Sequence, residues 1–317
     1  MLHVVHHADY IAPEPKRGTF RFDKYQAVMV ALRESGYPLT EHAPEPMGRE
    51  WLEAVHDPLY VAQVLATAVP ADKERRIGFP VTERIASRVR HTNGGTWLAA
   101  RLALRHGYAA NSAAGSHHAL RDTGAGYCVF NDLAVAANRL LAESGVQRVL
   151  IVDLDVHQGD GTAALMAGRE DVFTFSVHAE KNFPVRKARS NLDVALPDGV
   201  DDDDYMAELA RHLPPLFDRF QPPAAFRRPR PGRGALAGAT QPQRLPRGPR
   251  ASVRPRRHRA RRQQRYARRQ SQKPPRRNRA GQLILCHCEA GGNSAHQAAS
   301  ILPLCAENAP KRPALWL

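Results

Sequence analysis

Val149-Leu150-Ile151-Val152 is an unbroken aliphatic run inside Arg148–Val156. A strand with one wet face alternates apolar and polar residues, so a run that is apolar at every position needs cover on both faces. Parallel sheets of α/β proteins give that cover, because their crossover helices pack on each side. The flanking pattern agrees. Leu2–Val5 is a short strand candidate, and Tyr25–Arg33 has helical apolar spacing and stops before Gly36. Trp51–Val64 reads as helix interrupted near Pro58, and Thr82–Leu104 as a long helix weakened by Gly94-Gly95. Tyr108–Ala113 reads as strand, and Asp132–Leu141 as helix closed by Gly145. Val172–Val177 is a second apolar strand. Tyr205–Phe220 is a helix led by Asp201–Asp204, whose charge suits the positive end of a helix dipole. Strands alternating with helices predict an α/β fold with a central parallel sheet.

The aliphatic run leads into Asp153-Leu154-Asp155-Val156-His157-Gln158-Gly159-Asp160-Gly161. Positions i and i+2 of a strand share a face, so Asp153, Asp155 and His157 have common parity. Ligand sites of parallel sheets collect at the carboxyl ends of strands. Carboxylate oxygen and imidazole nitrogen suit zinc and similar divalent ions. A single aspartate here is as readily structural as functional; three acids and a histidine packed behind a buried strand point to chemistry. Gly115-Ser116-His117-His118 follows another strand, and adjacent histidines there can form an acid/base pair, although such pairs also occur without that role. In Gly124–Asp132 two glycines let a loop pass close to a ligand, with Tyr127 placed to line a pocket; alone, the segment equally suits a turn before a helix.

The formal charge of +15 and pI near 10.2 suggest a nucleic-acid binder until the charge is located. Residues 221–280 carry 20 Lys/Arg and no Asp or Glu, leaving 26 basic and 31 acidic groups elsewhere, or −5. With ten prolines and only Phe226 and Tyr266 as aromatics, that block is expected to be disordered and to attract nucleic acid only nonspecifically, through residues 227–280. Residues 281–317 regain apolar character at Leu283-Ile284-Leu285 without clear periodicity, so their structure stays open. Four cysteines do not suggest a disulfide framework, no apolar run is long enough to span a bilayer, and the N-terminus does not read as a signal peptide. A reduced cytoplasm is the expected compartment. Cys286-His287-Cys288 with His296 fits no standard zinc spacing, and His178 reads as structural.

In order and spacing, Ser116-His117-His118, Gly124–Asp132, Asp153–Gly161 and Phe175-Ser176-Val177-His178 resemble the histone deacetylase superfamily, most of all its class IV and bacterial members. Weaker likeness extends to Phe20–Tyr25, His56–Tyr60 and Gly94–Thr96, so that residues 1–220 are covered. The resemblance implies a three-layer arginase/deacetylase-like fold and a zinc-dependent enzyme that removes acyl groups from acyl-lysine, polyamine or similar small amides. It implies Asp155 and His157 as two of three zinc ligands and His118 as general base and acid, assisted by His117. Asp153 and Asp160 would hydrogen-bond His117 and His118. Gly126, Tyr127 and Phe183 would form the substrate tunnel, and Asp153 with Ser176 a structural potassium site.

The chain departs from that pattern after Phe220. The family's third ligand, an aspartate on the strand after the last helix, has no counterpart, since no Asp follows Asp218. Its oxyanion tyrosine sits in a Gly-Gly-Tyr turn, whereas here Gly291-Gly292 precedes Asn293. The expectation is a domain spanning 1–220, incomplete on its C-terminal side with an open flank, followed by a segment produced by a frameshift near codon 222. The competing readings are an arginase-like binuclear manganese enzyme, an inactive scaffold that binds acyl ligands, and an incidental nucleic-acid binder.

Overall fold

A computed structural model describes residues 1–12, 20–219, 282–287 and 314–316, the last two stretches by their backbone alone. Strand β1 (Leu2–Val5) leads to a 3-10 turn at Ala8–Tyr10, helix α1 (Lys24–Glu34), strand β2 (Leu39–His42) and helix α2 (Arg49–Glu53). Pro58 opens a separate helix α3 (Pro58–Leu65), whose first turn is capped by the Asp57 carboxylate. Proline is tolerated at a helix start because that N–H has no partner inside the helix. Helices α4 (Ala71–Ile77) and α5 (Glu83–His106) follow, the latter capped by the Thr82 hydroxyl. Then come β3 (Tyr108–Asn111), α6 (Asp132–Glu143), β4 (Arg148–Asp153), α7 (Asp160–Leu165), β5 (Val172–Ala179), β6 (Leu192–Leu196), α8 (Asp202–Arg219), β7 (Gln282–His287) and β8 (Ala314–Trp316).

The eight strands among the described residues are all parallel, in the order β2-β1-β3-β8-β7-β4-β5-β6. Val149 and Ile151 of β4 belong to the larger core, built with α3, α5 and α6, while Leu150 and Val152 belong to a second core with α8. The continuous aliphatic run is therefore explained by helices on both faces, the three-layer arrangement. Each fully buried aliphatic side chain contributes roughly 1.5–3 kcal/mol. No helix among the described residues is long and apolar enough to cross a membrane.

Three expectations change. The flank expected to be open is occupied: β7 and β8 stand between β3 and β4, paired with both. Strand β4 ends at Asp153 rather than Val156, because the Asp153 carboxylate accepts the Asp155 N–H (3.1 Å) and turns the chain. Asp155 and His157 thus lie beyond the strand, and strand parity does not relate them. Gly94-Gly95 does not weaken α5. A Cβ on Gly94 would lie 1.9 Å from the Glu45 carbonyl oxygen and one on Gly95 1.9 Å from the Tyr10 hydroxyl, so the glycines permit close packing. The basic segment 221–280 and most of 281–317 lie outside the described residues.

Candidate active site

Two successive turns build the site at the end of β4. After Asp155 N–H bonds to Asp153, the His157 N–H bonds to the Asp155 carboxylate at 2.7 Å. The same carboxylate oxygen lies 3.0 Å from His157 Nδ1 and 3.9 Å from His117 Nε2. Asp155 is buried, whereas the His157 side chain is 35% exposed. One carboxylate oxygen and one imidazole therefore converge at the edge of the sheet.

The histidine pair comes from the loop after β3. Asp132, the first residue of α6, accepts the N–H groups of Gly115 (3.1 Å) and Ser116 (2.6 Å) and the Thr96 hydroxyl. On the far side the Thr162 N–H bonds to the His117 carbonyl at 3.0 Å. Gly161 makes this approach possible: a Cβ there would meet the Ala119 carbonyl at 2.3 Å. So held, His117 Nδ1 lies 2.7 Å from Asp153 Oδ2 and His118 Nδ1 2.6 Å from Asp160 Oδ1. A carboxylate only accepts, so each Nδ1 carries the proton and each Nε2 keeps its lone pair. Burial depresses the His118 pKa, opposed by the hydrogen bond to Asp160, and keeps the ring neutral near pH 7. The two rings are 4.0 Å apart, and His118 is 5.6 Å from His157.

Gly126, Tyr127 and Phe183 flank this group. Gly126 has φ +52° and no room for a side chain, since a Cβ would lie 2.6 Å from His118 Cδ2 and 3.1 Å from Phe183 Cε1. Tyr127 holds φ +66°, a left-handed conformation that costs a non-glycine residue about 1–2 kcal/mol. The Phe183 ring stands nearly perpendicular to His118 and His157, with centroids 4.8 and 6.0 Å away. Ser176 pairs in register with Asp153, and its hydroxyl lies 3.0 Å from Nδ1 of the buried His178. The structure thus gathers His117, His118, Asp153, Asp155, His157, Asp160, Gly126 and Phe183, with Ser176 one strand away and Tyr127 at the rim.

Gln158 was not singled out by the sequence. Its amide oxygen accepts the Ala188 N–H (2.8 Å), while its NH2 donates to the Ala188 carbonyl (3.0 Å) and to Asp193 (2.8 Å). It ties the loop carrying Phe183 to the turn carrying Asp155 and His157. Its position inside the motif was visible, but a buried amide has no periodic signature. Asp132 was missed because an acidic residue in the first turn of a helix reads as ordinary dipole compensation.

The donor chemistry of Asp155 and His157 suits a zinc-class ion. Catalytic zinc sites usually have three protein ligands, and the described residues supply no third side chain here. Strand β7 brings the backbone of His287 into register with Asp153; Cys288 and His296 of the cysteine-histidine cluster lie outside the described residues. His7, Asp9 and His91, far along the chain from these turns, do bring ligand atoms within 4.8 Å of one another. Their imidazoles stack at 4.0 Å and 7°, and an ion in the plane of one ring would sit above the other. Asp9 is already satisfied by Arg84 and Ser87, so the trio reads as a latch between the first turn and α5. Cavities of about 470 and 410 Å³ lie elsewhere and are lined by none of the site residues.

Residues 19–227 match the histone deacetylase domain family. An uncharacterized protein of Picosynechococcus sp. is 44% identical over 225 residues, which span 70% of this chain and 75% of that protein. The histone deacetylase-like amidohydrolase of Pseudomonas aeruginosa is 38% identical over 117 residues, covering 33% of this chain and 31% of that protein. Among solved structures, an acetylpolyamine aminohydrolase from Burkholderia pseudomallei superimposes with a TM-score of 0.56 at 21% identity, over 69% of this chain and 79% of that one. At that identity the superposition speaks for the fold.

Proposed function

Because the chain belongs to the histone deacetylase family, a family of deacetylases and amidohydrolases, we propose that its site is built to hydrolyse the amide of an acylated amine such as acyl-lysine or an acylated polyamine. The observation that carries this reading is the arrangement of two imidazole–carboxylate pairs, His117–Asp153 and His118–Asp160, beside the Asp155–His157 donors.

Asp155 and His157 would hold zinc, which when bound polarises an amide carbonyl and acidifies water. His118, neutral and proton-free at Nε2, takes a proton from the attacking water and returns it to the departing amine nitrogen. Asp160 fixes the tautomer and stabilises the imidazolium that forms. His117 stands alongside as a second buried imidazole held by Asp153. Phe183 and Gly126 close on the acyl-bearing chain and keep bulk water from the reacting carbon. Asp153 and Ser176 would take part in holding a structural potassium ion.

Two donors hold zinc less firmly than three, and no tyrosine is assigned to the developing oxyanion, an interaction worth about 3–4 kcal/mol in other enzymes. We therefore infer an impaired enzyme. The family match ends at residue 227, where the arginine-rich composition begins; a shifted reading frame accounts for both. An inactive acyl-binding scaffold is the runner-up. The decisive measurement is zinc-dependent acetate release from an N-acetyl-lysine amide. Slow turnover that disappears in His118→Ala and after metal removal supports the proposal. Binding of the amide with no turnover at any zinc concentration supports the scaffold, and turnover untouched by His118→Ala removes the assignment.

A further inference from the structure

The body outside the arginine-rich block is acidic, with 31 acidic against 26 basic groups. The segments bordering the site reverse that balance. The Gly126 and Tyr127 N–H groups bond to the carbonyls of Arg76 and Ile77, at 3.1 and 2.7 Å, so the end of α4 forms one side of the approach. Within 71–77 three basic residues face two acids, a net of +1. Phe20 packs on Tyr127 at 5.1 Å, and residues 20–24 carry two basic groups and one acid, again +1. The Phe183 loop forms the opposite side; residues 180–189 hold four basic groups and one acid, a net of +3.

Two of these charges are paired, Arg21 with Asp23 at 2.5 Å and Lys181 with Asp198 at 3.8 Å, and the collar rests on three others. Arg76 and Arg186 are exposed and make no ion pair among the described residues. Lys187 donates to the Asn182 carbonyl at 2.6 Å, which holds its ammonium within the Phe183 loop, where it also feels the Asp160 carboxylate. The acids inside the site are committed: Asp153 and Asp160 to the histidines, Asp155 to the His157 turn. In 71–77 the Glu74 carboxylate accepts the Val81 N–H. An acyl chain that reaches His118 between Gly126 and Phe183 passes the segments that carry Arg76, Arg186 and Lys187.

We propose that this positive collar selects acylated amines whose free end is anionic and disfavours those whose free end is cationic. The inference rests on reading the site as an amide-hydrolase site. It departs from the acetylpolyamine chemistry of the structural relative, because a polyamine's distal ammonium would meet like charges.

The test compares N-acetylcadaverine with its isosteric counterpart, in which a carboxylate replaces the free amine. Line broadening of the acetyl methyl resonance is titrated against the full chain. At low ionic strength the carboxylate should bind about fivefold more tightly, a gap that closes in high salt. Arg186→Glu should abolish the preference and Arg186→Gln should fall between. Residues 221–280 are identical in all three proteins and cancel from the comparison. Equal affinities, tighter binding of the amine, or a preference untouched by Arg186→Glu would overturn the collar while leaving the hydrolase reading intact. Broadening of neither ligand would remove the hydrolase reading and the collar with it.

Discussion

At the scale of single residues, Gln158 and His56 show how polar groups with no part in chemistry can fix a site. All the hydrogen-bonding directions of the Gln158 amide that are used point at residues 188 and 193. Gln158→Glu turns the donor side into an acceptor facing the Ala188 carbonyl and the Asp193 carboxylate. The expected result is a loss of about 1–3 kcal/mol, because a buried unmatched acceptor keeps its desolvation penalty. Hydrogen exchange should speed up selectively in residues 182–190; a uniform change across the chain would show that the clamp is not local. His56 is fully buried, bonding to the Leu120 carbonyl through Nδ1 and accepting the Asn131 N–H at Nε2. Burial lowers its pKa to about 4. Between the unfolded value near 6.5 and that folded value, the unfolded chain binds the extra proton, so stability falls as pH falls through this window. The full contribution is roughly 3 kcal/mol above pH 6.5. Urea unfolding of the wild type at pH 7 and pH 4.5 should show the loss, with a smaller difference in His56→Gln; equal slopes in the two proteins would assign the acid sensitivity to other groups.

At the scale of elements, α5 sets propensity against packing. Gly94→Ala would favour a helix by about 1 kcal/mol in isolation. In the folded chain the new Cβ would sit 1.9 Å from the Glu45 carbonyl, and that segment is pinned by the Met47 N–H bond to the Arg90 carbonyl at 2.9 Å. Overpacking costs about 1–3 kcal/mol, so a net fall in Tm of a few degrees is expected by calorimetry; a rise would show that the Glu45 segment gives way. This is where sequence reading reached its limit. Periodicity weighs Gly94-Gly95 as a helix defect because it carries no information about the neighbouring chain. Strand β4 was legible because burial on two faces writes itself into four successive residues. Strands β2 and β6 were not: Leu39-Thr40-Glu41-His42 and the half-exposed Leu192–Leu196 stand at the sheet edges, where little burial is imposed on the pattern. The site residues were legible by type and order. Their geometry was not, since the turns that aim Asp155 and His157 arise from side-chain acceptors rather than from strand alternation.

At the scale of the whole molecule, one chain joins a mildly acidic body to a block of 20 basic residues. Such a block should bind any polyphosphate, with affinity that falls by orders of magnitude as salt rises and little difference between sequences. Gel-shift titrations with two unrelated RNAs at two salt concentrations would measure this, and a sequence preference that survives high salt would indicate a selected nucleic-acid role. The frame-shift account makes a different demand. Residues 221–280 carry ten prolines and 20 basic groups, a composition unlike that of the helix α8 before them, which buries Leu209, Leu213, Leu216 and Phe217 as part of an ordinary α/β core. Strands β7 and β8 do continue the sheet, but no Asp follows Asp218, so a shifted frame predicts that a strand carrying the missing aspartate is still encoded alongside. Translating the locus in its other two frames should yield an apolar strand ending in an aspartate and, further on, a Gly-Gly-Tyr turn. A protein carrying that repaired segment should bind zinc at least ~100-fold more tightly than the present chain, since a missing first ligand costs more than the 10–100-fold typical of lost supporting partners. Competition against a chromophoric chelator would measure the ratio. If neither frame encodes such a strand, or if the repaired protein binds zinc no better, the basic block belongs to the native protein and the metal site must be completed in another way.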